Sequence, residues 1–201
     1  MDLFISLAEN TGGHKQHQWK KYIAGIHFKN IYGQKVDKVN LCNKNMLRIK
    51  HIIEEGDELD VIRELFREYE KELNEDVCFQ SFDEELKNPL KKYGPPSGDL
   101  VLAYWEDEIA GCVALTKMKD ADACEMKRLY VRPSFRENKI GRLLVEDLLS
   151  SAKEKNYRKM RLDTFLKLHA AIHLYQQFGF ENISAYYDNP LPGVVYMEKS
   201  L

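Results

Sequence analysis

The chain has 201 residues, 44% hydrophobic and 31% charged, with a formal net charge of −2. That length suits one ordinary domain with room for an appendage, and so small a charge argues against a broad nucleic-acid-binding surface. Its four cysteines (Cys42, Cys78, Cys112, Cys124) show no Cys-x-x-Cys spacing, which fits free thiols in a reducing cytosol better than a disulfide framework or a zinc site.

Residues 1–45 read as a basic appendage, flexible or loosely docked. Lys15, Lys20, Lys21, Lys29, Lys35, Lys38 and Lys44 outnumber Asp2, Glu9 and Asp37, and NTGG and NKN break the weak periodicity. The opening MDLFISLA is too short, and meets Asp2 too early, for a signal peptide, and no apolar run approaches transmembrane length. We expect a cytoplasmic monomer or homodimer with neither nucleic acid nor membrane as partner. His14 and His17 have a chelating spacing but no evident third ligand, so a solvated pair is expected and no metal.

The domain proper runs from Met46 to Leu201. MLRIKHI alternates as a first strand. Val61, Leu65, Tyr69 and Leu73, with Ile62 and Phe66, recur at helical spacing, and Asp57 or Asp60 is placed to cap that helix. A second helix covers part of FDEELKNPL and ends at Pro89, followed by the loop YGPPSG. LVLAYWEDEIAGCVALTKM is two apolar runs around an acidic turn, hence a hairpin, and CEMKRLYV is the next strand. After a polar turn, Ile140, Leu143, Leu144, Leu148 and Ala152 mark one helix face. KMRLDTF is a strand, LHAAIHLYQQFGF a helix ending at Gly179, and VVYMEKSL a closing strand. The order β-α-α-β-β-β-α-β-α-β describes an α/β fold of α+β type, a mixed, mostly antiparallel sheet flanked by helices.

The junction VRPSFRENKIGRLL carries the strongest chemical signal. Unpaired amides at a helix start, together with the macrodipole, favour an anion. Arg136 supplies a bidentate donor, Arg142 sits one turn in, and Gly141 lets a phosphate approach the backbone. An ordinary capped helix, with Asn138 as N-cap and solvated arginines, fits the stretch equally well. CEMKRLYV directly before it tips the balance, because a strand feeding a phosphate-binding helix places a ligand at the crevice beyond its carboxyl end.

RLYVRPSFRENKIGRLL and AAIHLYQQFGF, at this separation and in this order, resemble the pyrophosphate motif and second signature of the GCN5-related N-acetyltransferase (GNAT) family. The resemblance implies the acyl-CoA N-acyltransferase fold and acetyl-CoA as co-substrate. It implies that the backbone of Leu129, Tyr130 and Val131 runs beside the pantetheine arm, and that the amides from Arg136 through Glu137, Asn138, Lys139 and Ile140 to Gly141, with Arg142, hold the pyrophosphate. Tyr175 falls at the family's tyrosine, the acid that protonates the departing thiolate. Two positions depart from the pattern. Lys139 replaces the first glycine; a left-handed backbone there costs roughly 1 kcal/mol for lysine, and we expect a helical one. Leu168 replaces a common asparagine, leaving its contact to Thr164 or His169.

Acetylating an amine requires its deprotonation, and an alkyl ammonium has a pKa of about 10.4. Glu125, at a family position that often carries a carboxylate, is the first candidate base and Asp163 the second. Glu125 reads equally as a solvated strand carboxylate or as a partner of Lys127 or Arg128. Tyr175 has a second reading: with Gly179 at C′, it and Phe180 form the packing pair of a Schellman cap. The oxyanion hole is expected at a backbone amide near Leu129 to Val131. The acceptor pocket draws on Phe79, Phe82, Asp83, Glu84 and Tyr186 to Gly193, with Phe82, Asp163 and Tyr187 named as substrate-binding; carboxylates there would suit a cationic amine. The expected activity is acetyl transfer to a primary amine of a small molecule or protein by direct attack. The alternative is a catalytically inactive acyl-CoA-binding sensor or partner module.

Overall fold

The computed structural model describes residues 47–74 and 82–201, all within the compact unit Asn45–Leu201. The N-terminal appendage with His14 and His17, Cys42, Cys78 and Phe79 lie outside the described residues. Elements follow in the order β1 (Leu47–His51), α1 (Asp57–Leu73), α2 (Phe82–Lys87), α3 (Pro89–Tyr93), β2 (Asp99–Trp105), β3 (Glu108–Lys117), β4 (Ala123–Val131), α4 (Ile140–Glu154), β5 (Lys159–Phe165), α5 (His169–Gln177), β6 (Glu181–Ile183) and β7 (Val194–Ser200). They build a seven-stranded sheet ordered β1-β2-β3-β4-β5-β7-β6. Every neighbouring pair is antiparallel except β4 and β5.

Apolar clusters cover both faces of the sheet, so β2 reads as a continuous apolar run. Leu100 and Leu102 pack with Leu59, Ile62, Leu65 and Phe66 of α1. Val101 and Ala103 point the other way, to Ile140, Leu144, Leu148 and Ala152 of α4. The β2–β3 turn is Glu106–Asp107, both at positive φ (49° and 68°), the two-residue geometry that matches strand twist.

Three local expectations change. Gly56, not Asp57 or Asp60, is the N-cap of α1; the two aspartates sit inside the first turn, where they complement the helix dipole. Pro89 begins a helix as well as following one: the Asn88 side chain accepts from the Lys91 N–H at 3.0 Å, and proline occupies the first turn of α3. Strand β6 was not foreseen, being only three residues and largely exposed.

The feature that shapes the site is a bulge in β4. Cys112 pairs with Tyr130 and Ala114 with Lys127, so Arg128 and Leu129 oppose Val113 alone. Arg128 takes φ 57° and its side chain is buried. Its guanidinium donates to both oxygens of Glu85 from α2 at 2.6 and 3.1 Å and lies 5.0 Å from the Phe82 ring. Gly111, opposite Val131, is required by crowding: a Cβ there would stand 2.3 Å from the Tyr130 carbonyl oxygen.

Candidate active site

Three residues before the bulge, β4 makes its last pair with β5. Their parallel ladder has three pairs, ending at Glu125↔Arg161, and from there the facing edges diverge. The wedge between them is an inner cavity of 60 Å³, lined by Met126 to Leu129 on one side and Asp163, Thr164 and Phe165 on the other, and closed by Tyr69, Leu73, Leu168, Ala171 and Tyr175. Backbone groups on separated strand edges are free to pair with an extended ligand.

Tyr175 enters this cavity from the last turn of α5 while its ring packs 5.8 Å from Phe180. The helix end is a Schellman motif: the Phe180 N–H donates to the Tyr175 carbonyl at 3.1 Å and the Gly179 N–H to Gln176 at 2.9 Å, with Gly179 at φ 81°. The packing role of Tyr175 is therefore real, and it coexists with a place on the cavity wall. Burial first, then Tyr69 and the Asp163 carboxylate, push its phenol well above the usual range, so it keeps its proton at neutral pH.

At the far end of β4 a second cleft, of 340 Å³, is lined by Val131, Phe135, Arg136, Glu137, Lys139, Ile140, Gly141 and Arg142, and across from them by Ala170, His173, Leu174 and Gln177 of α5. Here the expectation of a helical Lys139 is overturned. Helix α4 starts at Ile140, and Lys139 is its N-cap at φ 60°, ψ 14°, in the left-handed region. Glu137 is left-handed too, at φ 72°. Two left-handed residues so close together bend the chain sharply at the cleft, at the cost of strain in a lysine. A Cβ on Gly141 would meet nothing closer than the Leu174 Cδ2 at 3.6 Å, so the glycine leaves open cleft at its surface.

The other residues of this turn are engaged. Arg136 donates to the Val131 carbonyl at 3.0 Å and to Glu72 of α1 at 2.6 Å. Arg142 pairs with Gln177 and stacks 5.0 Å from the Phe178 ring. Asn138 donates to the Phe135 carbonyl at 3.2 Å instead of capping the helix.

A third cleft, of 540 Å³, opens beside the β4–β5 ladder and is lined by Glu125, Lys127, Arg161, Tyr186, Tyr187 and the loop after β3. Both candidate bases are tethered. Glu125 accepts from the Tyr186 hydroxyl at 2.6 Å and faces the Lys127 ammonium at 3.1 Å. Asp163 accepts from Lys127 at 2.7 Å and from the Tyr187 hydroxyl at 3.0 Å. Burial alone would raise the Asp163 carboxyl, but Lys127 and Tyr187 outweigh it and hold it below the usual range. Burial likewise opposes the Lys127 charge, and Asp163 and Glu125 more than compensate, so its pKa is raised.

The structure thus gathers Leu129, Asp163, Thr164 and Tyr175 around the inner cavity and Glu125 and Tyr187 on the third cleft, the candidate acceptor-side cleft. Tyr130 is buried in the core, and His169 is exposed at the start of α5. Leu168 lines the inner cavity and supplies no side-chain cap to α5. Phe82 is placed in the core under Arg128, away from these clefts. Asp83 and Glu84 are exposed, and it is their neighbour Glu85 that turns inward. Sequence reasoning named Lys127 only as a candidate partner of Glu125, a pairing seen at 3.1 Å, and gave no role to the Glu85–Arg128 pair or Arg161. One trace was available: Lys127-Arg128 places consecutive charges in a strand that otherwise alternates, which is the mark of a bulge.

Among the described residues no group of His, Cys, Asp and Glu side chains could hold a metal ion, and no helix is long and apolar enough to cross a membrane. Cys112 and Cys124 are free and buried.

Comparison with known proteins agrees with this geometry. A family profile described as the acetyltransferase (GNAT) family matches residues 59–180. An uncharacterized N-acetyltransferase of Schizosaccharomyces pombe is 45% identical over 141 residues, covering 70% of this chain and 86% of that protein. Another, from Dictyostelium discoideum, is 33% identical over 199 residues, covering 69% and 92%. Among solved structures, an acetyltransferase from Streptococcus agalactiae superposes with a TM-score of 0.65 at 20% identity, covering 77% of this chain and 98% of that one.

Proposed function

Because the chain belongs to the GNAT acetyltransferase family, we propose that it is an acetyl-CoA-dependent N-acetyltransferase that moves an acetyl group to a primary amine by direct attack. The observation that carries the reading is the wedge between β4 and β5, which runs from the tethered carboxylates toward the left-handed turn before α4. The residues fit the group: the separated strand edges suit an amide-bearing arm, and the turn with Lys139, Arg142 and open Gly141 suits a pyrophosphate.

When bound, acetyl-CoA supplies the activated acyl thioester. Backbone amides of Leu129 to Val131 are the assigned oxyanion donors, held in place by the bulge. Glu125 accepts the amine proton; Asp163, kept low by Lys127, is the weaker base. Tyr175 retains its proton until a departing sulfur needs it. Buried Thr164 shapes the wall between them.

Calorimetry with acetyl-CoA and thiol release across an amine panel test this reading. We expect saturable binding and amine-dependent release. Gly141→Glu, whose Cβ would make ordinary contact with Leu174 at 3.6 Å, should abolish binding by placing bulk and negative charge at the pyrophosphate. Tight binding without release on any amine would support an inactive acyl-CoA-binding module instead, and no binding would refute both.

A further inference from the structure

Lys127 is the residue that the inner cavity and the acceptor-side cleft share. It therefore stands where an acceptor amine and an acyl group meet. Its ammonium is nearly buried, with 10% of the side chain exposed, and it carries three donors. One faces Asp163 at 2.7 Å and one Glu125 at 3.1 Å; the third makes no hydrogen bond among the described residues, and the Tyr187 ring lies 5.7 Å from the ammonium.

The carboxylates around it offer little to an incoming cation. Glu125 and Asp163 are each bound by Lys127 and by a tyrosine hydroxyl. The Arg161 guanidinium stands on the same cleft, held by Glu198 at 2.7 Å. The cleft is lined by Lys92, Lys117, Lys119, Lys127 and Arg161 against Asp120, Glu125 and Asp188, so a simple alkyl ammonium entering it meets a surplus of like charge. A ligand carrying its own carboxylate meets the opposite arrangement: the spare Lys127 donor for the carboxylate, and the Glu125 oxygen next to it for the amine. Lys127 and Glu125, about one ion-pair length apart, mirror the two charged groups of an amino acid. Asp188 and Asp120 also line this cleft; Asp120 faces Arg161 at 3.7 Å, which leaves exposed Asp188 to favour a second cationic group.

Resting on the acetyltransferase reading, we propose that the acceptor is an α-amino acid whose carboxylate is bound by Lys127 while its amine faces Glu125. The raised pKa of Lys127 keeps that cation present throughout the neutral range. Discrimination against plain amines then comes from repulsion as much as from attraction.

The test compares each amino acid with the amine that lacks only its carboxylate: alanine with ethylamine, methionine with 3-methylthiopropylamine, phenylalanine with phenethylamine, and spermidine as the polycation. Thiol release is measured with acetyl-CoA, and binding is measured calorimetrically to the protein saturated with coenzyme A. At least one amino acid should exceed its partner amine in kcat/KM by roughly thirty-fold or more, the scale of losing one member of a buried charge pair. In Lys127→Met that ratio should collapse or invert while coenzyme A affinity stays within about two-fold of the starting protein; Lys127→Arg should keep the preference. Plain amines or spermidine used as well as or better than every amino acid would overturn the proposal, and so would an amino-acid preference that survives Lys127→Met. Saturable amino-acid binding lost in Lys127→Met, but without any thiol release, would keep this site and refute acetyl transfer. Absence of amino-acid binding and turnover, with plain amines acetylated, would refute this site alone.

Discussion

Lys139→Gly pits the fold against the ligand at one position. At φ 60° an L side chain carries strain of roughly 1–2 kcal/mol, and glycine removes it. Glycine also returns roughly 0.5–1 kcal/mol of extra chain entropy to the unfolded state. The net expectation is a gain of about 0.5–1 kcal/mol, or about 1–4 °C in Tm for a domain of this size. Lys139 is exposed and lines the cleft assigned to the pyrophosphate, so losing its cation should weaken coenzyme A binding by roughly two- to five-fold, more at low salt. Stability and affinity should thus move in opposite directions. Lys139→Ala separates the two effects, because it loses the cation and keeps the strain: it should share the affinity loss without the stability gain. Thermal unfolding and calorimetry at two ionic strengths supply both readouts. If Lys139→Gly melts at or below the temperature of the starting protein, the strain argument fails. If it binds coenzyme A unchanged at low salt, Lys139 does not face the phosphates.

Tyr175→Phe keeps the ring that packs on Phe180, so Tm and coenzyme A affinity should hold while kcat falls by roughly ten-fold or more; an unchanged kcat would leave Tyr175 with its packing role alone. Burial opposes ionisation of Glu85, but Arg128 and Lys92 outweigh it and hold its carboxyl below the usual range. Its contribution to stability is therefore present above the ordinary carboxylate pKa of about 4.3 and is lost as pH falls through the lower folded value. Glu85→Gln should cost about 3–5 kcal/mol at neutral pH by stranding Arg128 in the core, and should flatten the acid limb of the stability profile. Adding Arg128→Met should recover much of that loss, and a double variant no more stable than Glu85→Gln would show that the bulge needs the guanidinium itself.

What was legible in the sequence was whatever short-range physics decides. Tyr175, Gly179 and Phe180 lie within six residues of one another, and the cap they form follows from glycine's access to positive φ and one apolar contact. Glu106-Asp107 between two apolar runs is a turn for equally local reasons, and the alternation of β1 needs only period two. Lys139 went the other way because local propensity was overruled: nothing in Asn138-Lys139-Ile140 demands a left-handed lysine. That conformation is imposed by the approach from Val131, where Arg136 ties the turn back to the Val131 carbonyl and across to Glu72, 64 residues earlier. Glu85 and Arg128 are 43 residues apart, and the bulge they stabilise decides where β4 leaves β5.

The same distinction runs through the chemistry. Glu125 and Asp163 could be picked out as carboxylates at strand ends, because residue type and position suffice for that. Their hydrogen-bond partners are Tyr186 and Tyr187, which arrive from the connection before β7, 61 and 24 residues away, and Lys127, which is near in sequence and sits beside the bulge. A carboxylate read alone suggests a site for a cation. Two carboxylates sharing a buried ammonium leave one net negative charge spread over three groups, with the ammonium at the residue the two cavities share. If the acceptor is an amino acid, as proposed, the charge it meets is set by pairing across the fold and not by a count of acidic residues.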